Sequence, residues 1–326
     1  MTEISKPKNY LWLDLLKGIA MIAVVVDHLF SYYQNLTIQY HTGFHVSLFI
    51  LIAGFTSAIS IQNRGGVVNF YYICQRIKKV FIPYLIATLI YCLYFGYFDL
   101  ATIFKKIYTF SVAGPLYFVF FYIQLISISY LLFKIINHQK SKLFDLLLII
   151  IFYLLSVFFN KYKIINSFYG GSGVLFGGSF FFLFILGIFA KKYEQIFENK
   201  KINLGLLFSS LILLSVYEFF DLISKSWSNP ANNWLLGYTL IVLSLVVSVY
   251  QLFLKKFPNF LKPITIVGKN SLSVFLYHTL VIYIFSKLLT KSYSLLTFFY
   301  LLLTSIYLPI LFSTLYRYLK LKSSHQ

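Results

Sequence analysis

Four ionisable residues, Asp14, Lys17, Asp27 and His28, lie within one otherwise apolar stretch near the start of the chain. An ionisable group at the centre of a membrane helix costs about 2.5–3.5 kcal/mol on insertion scales, so each is a candidate for function. Lys17 and His28 are eleven residues apart. On a helix turning about 100° per residue that spacing is three turns plus roughly 20°, so both leave one face, about 16 Å apart along the axis. Asp14 lies one turn before Lys17, close enough to pair with it. A lysine can hold an anionic group, and a neutral imidazole can take a proton or act as a nucleophile near pH 7. Asp27 adjoins His28 and could tune it, although neighbours along a helix point about 100° apart. The plain alternatives are an interfacial Asp14–Lys17 pair with a snorkelling lysine, and a His28 that only packs. A helix serving purely as an anchor would not carry this whole stripe.

Other residues add to the set. Arg76 and Lys79 stand one turn apart at a helix end, where basic residues also serve as ordinary anchors. His45 enters an apolar run in which Gly54 lets a neighbouring helix come close. A segment from Gly268 to His278 opens another run, with Asn270 or Ser271 as its N-cap and His278 about two turns in. His41, His138 and His325 fall in connections and receive no role. Cys74 and Cys92 form no CxxC pattern, and there is neither metal-ligand spacing nor a Walker-type phosphate loop, so no metal is expected.

The elements that must position these groups are membrane helices. Charged residues make up 11% of the chain and hydrophobic ones 59%, whereas a soluble domain carries roughly 25% charged residues. The apolar residues come in blocks matching a hydrocarbon core of about 30 Å. Runs such as Leu146 to Ile151 are apolar all round, which argues for helices and against a membrane β-barrel. Ten spans are expected near 10–32, 44–62, 77–98, 114–136, 143–160, 173–190, 203–220, 234–254, 271–289 and 294–318, forming an all-α bundle of one domain over residues 1–326. The first is read as a retained helix, since no small-residue cleavage site follows it. With the N-terminus in the cytoplasm, twenty Lys and Arg fall on that side, seven fall outside, and Lys17 lies within the first helix. This asymmetry predicts both termini inside and a multi-pass protein of the cell (plasma) membrane. It accounts for most of the net charge of +19 as topology and attraction to anionic membrane lipids, leaving no reason to expect nucleic acid.

With these residues in place, the chain resembles the acyltransferase-3 family of bacterial membrane O-acyltransferases. In that family an aspartate precedes Arg-Gly, and ten residues separate the arginine from a histidine. Asp14, Lys17-Gly18 and His28 match that pattern, with lysine for arginine. Phe49 to Phe55 resembles the family's Phe-x-x-x-Ser-Gly-Phe, with Ala53 for serine. Arg76 and Lys79 before Pro83 resemble its Arg-x-x-Arg and proline, again with one lysine. Gly268 to His278 is similar to its Gly-x-x-Ser-Leu-x-x-Tyr-Leu-x-His, and Gly114 to Phe118 resembles its Leu-Trp-Phe stretch. The likeness runs from about residue 10 to residue 310, in a stand-alone form without the extracellular hydrolase-like domain that some members carry.

The resemblance implies O-acetylation: transfer of an acyl group, most commonly acetyl, from acetyl-CoA on the cytoplasmic side to a glycan hydroxyl. The acceptor would be a cell-envelope polysaccharide such as capsule or exopolysaccharide, or its lipid-linked precursor. Lys17, Arg76 and Lys79 would bind coenzyme A phosphates, although a lysine lacks the bidentate reach of arginine. His28 with Asp27 would be catalytic, and Asp14, Ser271 and His278 would support them. The rival reading is a transporter or flippase of a lipid-linked sugar, which inverted repeats would favour; the two halves show no convincing similarity.

Overall fold

The computed structural model describes residues 10–32, 35–138, 141–161, 175–227, 232–288 and 294–323, and all regular structure among them is helical. The helices are α1 (Leu11–Tyr32), α2 (Leu36–Thr42), α3 (Phe44–Gln62), α4 (Phe70–Phe95), α5 (Leu100–Thr109), α6 (Tyr117–Asn137), α7 (Lys142–Lys161), α8 (Phe180–Lys192), α9 (Lys200–Phe219), α10 (Leu222–Ser226), α11 (Asn233–Leu252), α12 (Pro258–Lys269), α13 (Ser271–Leu288) and α14 (Leu295–Ser323). Short 3₁₀ turns include Gly114–Leu116, which leads into α6.

Local chemistry explains many of the boundaries. Asn35, Asn69, Asp99, Asn199 and Asn232 precede helices and accept backbone N–H bonds from their first turns, satisfying donors that have no partner within the helix. The Asn69 cap starts α4 seven residues before the expected 77. Gly96, at φ 74°, ends it in a left-handed turn that glycine adopts without a steric penalty.

Seven helical segments are long and apolar enough to cross a membrane by length and composition: 36–62, 70–95, 114–137, 142–161, 200–219, 233–252 and 295–319. The protein is therefore an all-helical, multi-pass membrane protein. The other expected spans correspond to α1, which carries the charged stripe, and to the shorter α8 and α13. The start of expected span 173–190 and the last residue of 271–289 lie outside the described residues, as do Lys6, Lys8, Lys140, Lys163, Lys291 and His325.

Two close crossings set the frame. Helix α3 packs most extensively on α8, where a Cβ on Gly54 would stand 2.0 Å from the Phe184 carbonyl oxygen and one on Gly187 2.0 Å from that of Leu51. Helix α1 packs on α12, where a Cβ on Gly18 would lie 2.1 Å from the Ile264 carbonyl oxygen and one on Gly268 1.9 Å from that of Asp14. Small residues permit such approach where lipid offers no hydrophobic drive between helices. Helices α5 and α12 occupy stretches expected as loops. Their moderate apolar content falls below that of a span, yet their amphipathic patterns match partly buried helices. Tyr84 of α4 holds α5 by donating to the Ile107 carbonyl at 2.7 Å.

Candidate active site

The crossing of α1 with α12 places the stripe of α1 between two cavities. Lys17 donates to Asp14 at 3.3 Å, the pair expected from their spacing, and both side chains are partly exposed. Lys17 lines a cavity of about 310 Å³ with Phe49, Thr56, Val80, Phe118, Tyr122, Ser271 and Phe275. Eleven residues further along α1, His28 and Asp27 line a second cavity of about 230 Å³ with His45, Gly114, Pro115, Tyr117, Trp227 and Phe275. Phe275 of α13 is common to both. Its ring centroid lies 5.3 Å from that of Phe118 and 6.3 Å from that of His278.

Helix α13 also brings His278 beside His28, with ring centroids 5.1 Å apart and planes inclined by 39°. His278 is fully buried, and its Nδ1 lies 3.0 Å from the Val274 carbonyl and 2.9 Å from that of Phe275. A carbonyl oxygen only accepts, so Nδ1 carries the proton and Nε2 of the neutral ring keeps its lone pair. That Nε2 is buried without a hydrogen-bond partner. Asp27 is buried and accepts from the Thr42 hydroxyl at 3.1 Å, so its partner comes from α2 and not from the adjacent His28.

The basic pair of α4 separates. Arg76 donates through Nη2 to Ser57 of α3 at 3.1 Å, one residue from the cavity-lining Thr56, and its Nη1 is buried without a partner. Lys79 is exposed and lines neither cavity. Ser271 starts α13 at the Lys17 cavity. Asn270 stands at the N-cap position expected, its backbone carbonyl accepting from Val274 N–H, while its side chain donates to the Ile266 carbonyl and accepts from Arg317.

The structure adds Tyr117, Trp227 and Phe275 to the residues singled out from the sequence, and gives His45 a place among them. His45 is visible there as a histidine entering an apolar run, but only the packing of α3 beside α1 places it in the His28 cavity. Tyr117 and Phe275 do not stand out among 28 Tyr and 37 Phe, and nothing beside Trp227 in the sequence points to a site. A third cavity of about 150 Å³, lined by Tyr10, Trp12, Phe55 and Glu194 among others, contains none of the expected catalytic or binding residues. Among the described residues no three His, Cys, Asp or Glu side chains are arranged to hold a metal ion.

Chemically, the arrangement offers a cation in one chamber, two imidazoles and a carboxylate in the other, and an aromatic side chain lining both. A family model described as an acyltransferase domain matches residues 10–314, nearly the whole chain. No curated protein and no solved structure matches the chain. The match spans α1 and every residue lining the Lys17 and His28 cavities, and on that extent the protein belongs to the acyltransferase-3 family of membrane acyltransferases.

Proposed function

We propose that the protein is a membrane O-acyltransferase that moves an acetyl group from cytoplasmic acetyl-CoA to a hydroxyl of a cell-surface polysaccharide or its lipid-linked precursor. In this reading ten spans form one domain with both termini inside, and the Lys17 cavity faces the cytoplasm while the His28 cavity faces outward. The observation that carries the proposal is the wall shared by the two cavities: Phe275 lines both. A donor entering beside Lys17 and an acceptor entering beside His28 would meet at that ring.

The chemistry suits such a meeting. Coenzyme A phosphates need cations: Lys17 lines the donor cavity, and Arg76, whose buried Nη1 lacks a partner, and the exposed Lys79 would meet phosphates reaching outside it. The axial distance from Lys17 to His28, about 16 Å, is comparable with an extended pantetheine arm. The largely apolar lining between them would hold a thioester away from water. His28 is the imidazole at the point where the acyl carbon changes partner, and Asp27 supplies negative charge in the same cavity.

The test is release of free thiol from acetyl-CoA by purified protein, with and without surface glycan. Wild type should show glycan-stimulated release. His28→Ala should lose at least about 100-fold, the lower range for removing a catalytic acid–base group. Full activity in the variant, or no turnover by folded wild type across several glycans, would refute the proposal.

A further inference from the structure

We infer that His45 is a second catalytic imidazole, the base that takes the proton of the acceptor hydroxyl, while His28 carries the acyl group between donor and acceptor. This rests on the acyltransferase reading above and assigns the two sides of its reaction to different residues.

Three observations carry it. His45 is buried at the start of α3 and lines the same cavity as His28 and Asp27. Its Nδ1 lies 2.6 Å from the Thr42 carbonyl, so that nitrogen carries the proton and Nε2 holds the lone pair. The Thr42 hydroxyl proton is shared between the Gln39 carbonyl at 2.9 Å and Asp27 at 3.1 Å, so one residue touches both the His45 tautomer and the buried carboxylate. The groups facing this space are Asp27 and His28 from α1, Tyr117 from α6 and Trp227 after α10. Asp27 places a carboxylate in the same cavity.

His28 has a different neighbour. The orphaned Nε2 of His278 lies in the ring packed against it, sealed from solvent and without a donor. An imidazole that attacks a thioester becomes an acyl-imidazolium and must lose its N–H proton; His278, its ring centroid 5.1 Å away, holds a free lone pair on Nε2 that would take it once the two rings turn into hydrogen-bonding contact. The first step forms the bond from His28 nitrogen to the acyl carbon and breaks the C–S bond. The electron pair leaves with sulfur as the coenzyme A thiolate, while the His28 proton passes to His278. In the second step the acceptor oxygen attacks the acyl carbon and its proton passes to Nε2 of His45. The C–N bond breaks, and its electron pair returns to His28, which recovers its proton from His278. His45 then releases its proton to water in the cavity. The balance is one hydroxyl and one thioester consumed, and one ester, one thiolate and one proton formed.

The experiment separates the two steps in the full-length protein. His45→Asn keeps a side-chain N–H near the Nδ1 position for the Thr42 carbonyl but has no basic nitrogen. Mixed with radiolabelled acetyl-CoA in the absence of glycan, it should give the wild-type burst of about one equivalent of thiol and label the protein. Transfer of that label to added glycan should fall by at least about 100-fold and recover as pH rises. His28→Ala should give neither burst nor label. A His45→Asn protein that transfers at the wild-type rate, or one that loses the burst together with transfer, overturns the assignment. A wild type that acetylates glycan without any burst or label overturns the carrier step and this inference, while leaving the acyltransferase reading intact.

Discussion

Alanine at Gly268 tests whether the α1–α12 crossing sets the site. A Cβ there would begin 1.9 Å from the Asp14 carbonyl oxygen and 2.9 Å from the Gly18 nitrogen, both backbone atoms that no rotamer change can move. Real Cβ atoms essentially never come within 3.0 Å of a neighbour, so the helices must part by about 1.1 Å. Overpacking of this kind costs about 1–3 kcal/mol. The displaced carbonyl belongs to the residue that pairs with Lys17, so the shift reaches the proposed donor site, where a misplacement of about 1 Å can cost roughly 100-fold in rate. The matched control is Gly205→Ala in α9, where nothing lies within 4 Å of the new methyl. That change should be neutral or stabilising by up to about 1 kcal/mol, because alanine loses less backbone freedom than glycine on folding. Thermal unfolding can be followed with a thiol-reactive dye in a Cys74→Ser background, since Cys74 is only half-buried whereas Cys92 is buried and becomes reactive only as the core opens. Gly268→Ala should melt earlier than wild type and lose most thiol release from acetyl-CoA, with Gly205→Ala unaffected in rate. A Gly268→Ala protein matching wild type in both readouts would refute the reasoning that this backbone contact positions α1.

Lys17→Ala should raise the KM for acetyl-CoA by about 10-fold or more with a smaller change in kcat, and Lys17→Arg should retain binding, since a guanidinium also holds phosphate; steady-state kinetics over a donor titration checks both. Phe275→Ala should join the two cavities and raise glycan-independent hydrolysis of acetyl-CoA relative to transfer, measured as thiol released per ester formed.

The all-helical membrane class was legible from block hydropathy, and the Asp14–Lys17 pair from spacing alone, because both depend on neighbours in the chain. Gly54 as a point of close approach was legible too, since a helix crossing in lipid selects for small residues. The helical character of 100–109 and 258–269 was not, because a half-buried amphipathic helix carries fewer apolar residues than a span and reads as a charged connection. Asp27 shows the limit of reasoning along a single helix: adjacency suggested that it acts on His28, and the two do line one cavity, but its hydrogen-bond donor, Thr42, comes from the next helix. His45 and Phe275 join the site through the packing of α3 and α13 on either side of α1, information that no local pattern holds.

The distribution of close contacts has a functional logic. The two spans least buried within the bundle, α7 and α9, contribute no residue to the Lys17 or His28 cavity, whereas α4, exposed to the same degree as α14, lends Val80 to the first. The catalytic candidates ride instead on α1 and α3, each held by a glycine crossing in which backbone touches backbone. A charged stripe cannot be seated in lipid by hydrophobic burial, so α1 depends on shape, and its Gly18 and Gly268 contacts are tighter than a side chain could make. Helix α13 then closes the arrangement, because it follows directly from α12. A rigid link from the α1 crossing through Gly268 to Ser271, Phe275 and His278 ties one cavity's mouth, the shared wall and the buried imidazole to the same fixed point. Small changes at that crossing should therefore disturb donor binding, separation of the cavities and catalysis together, whereas substitutions on the exposed helices should leave all three untouched.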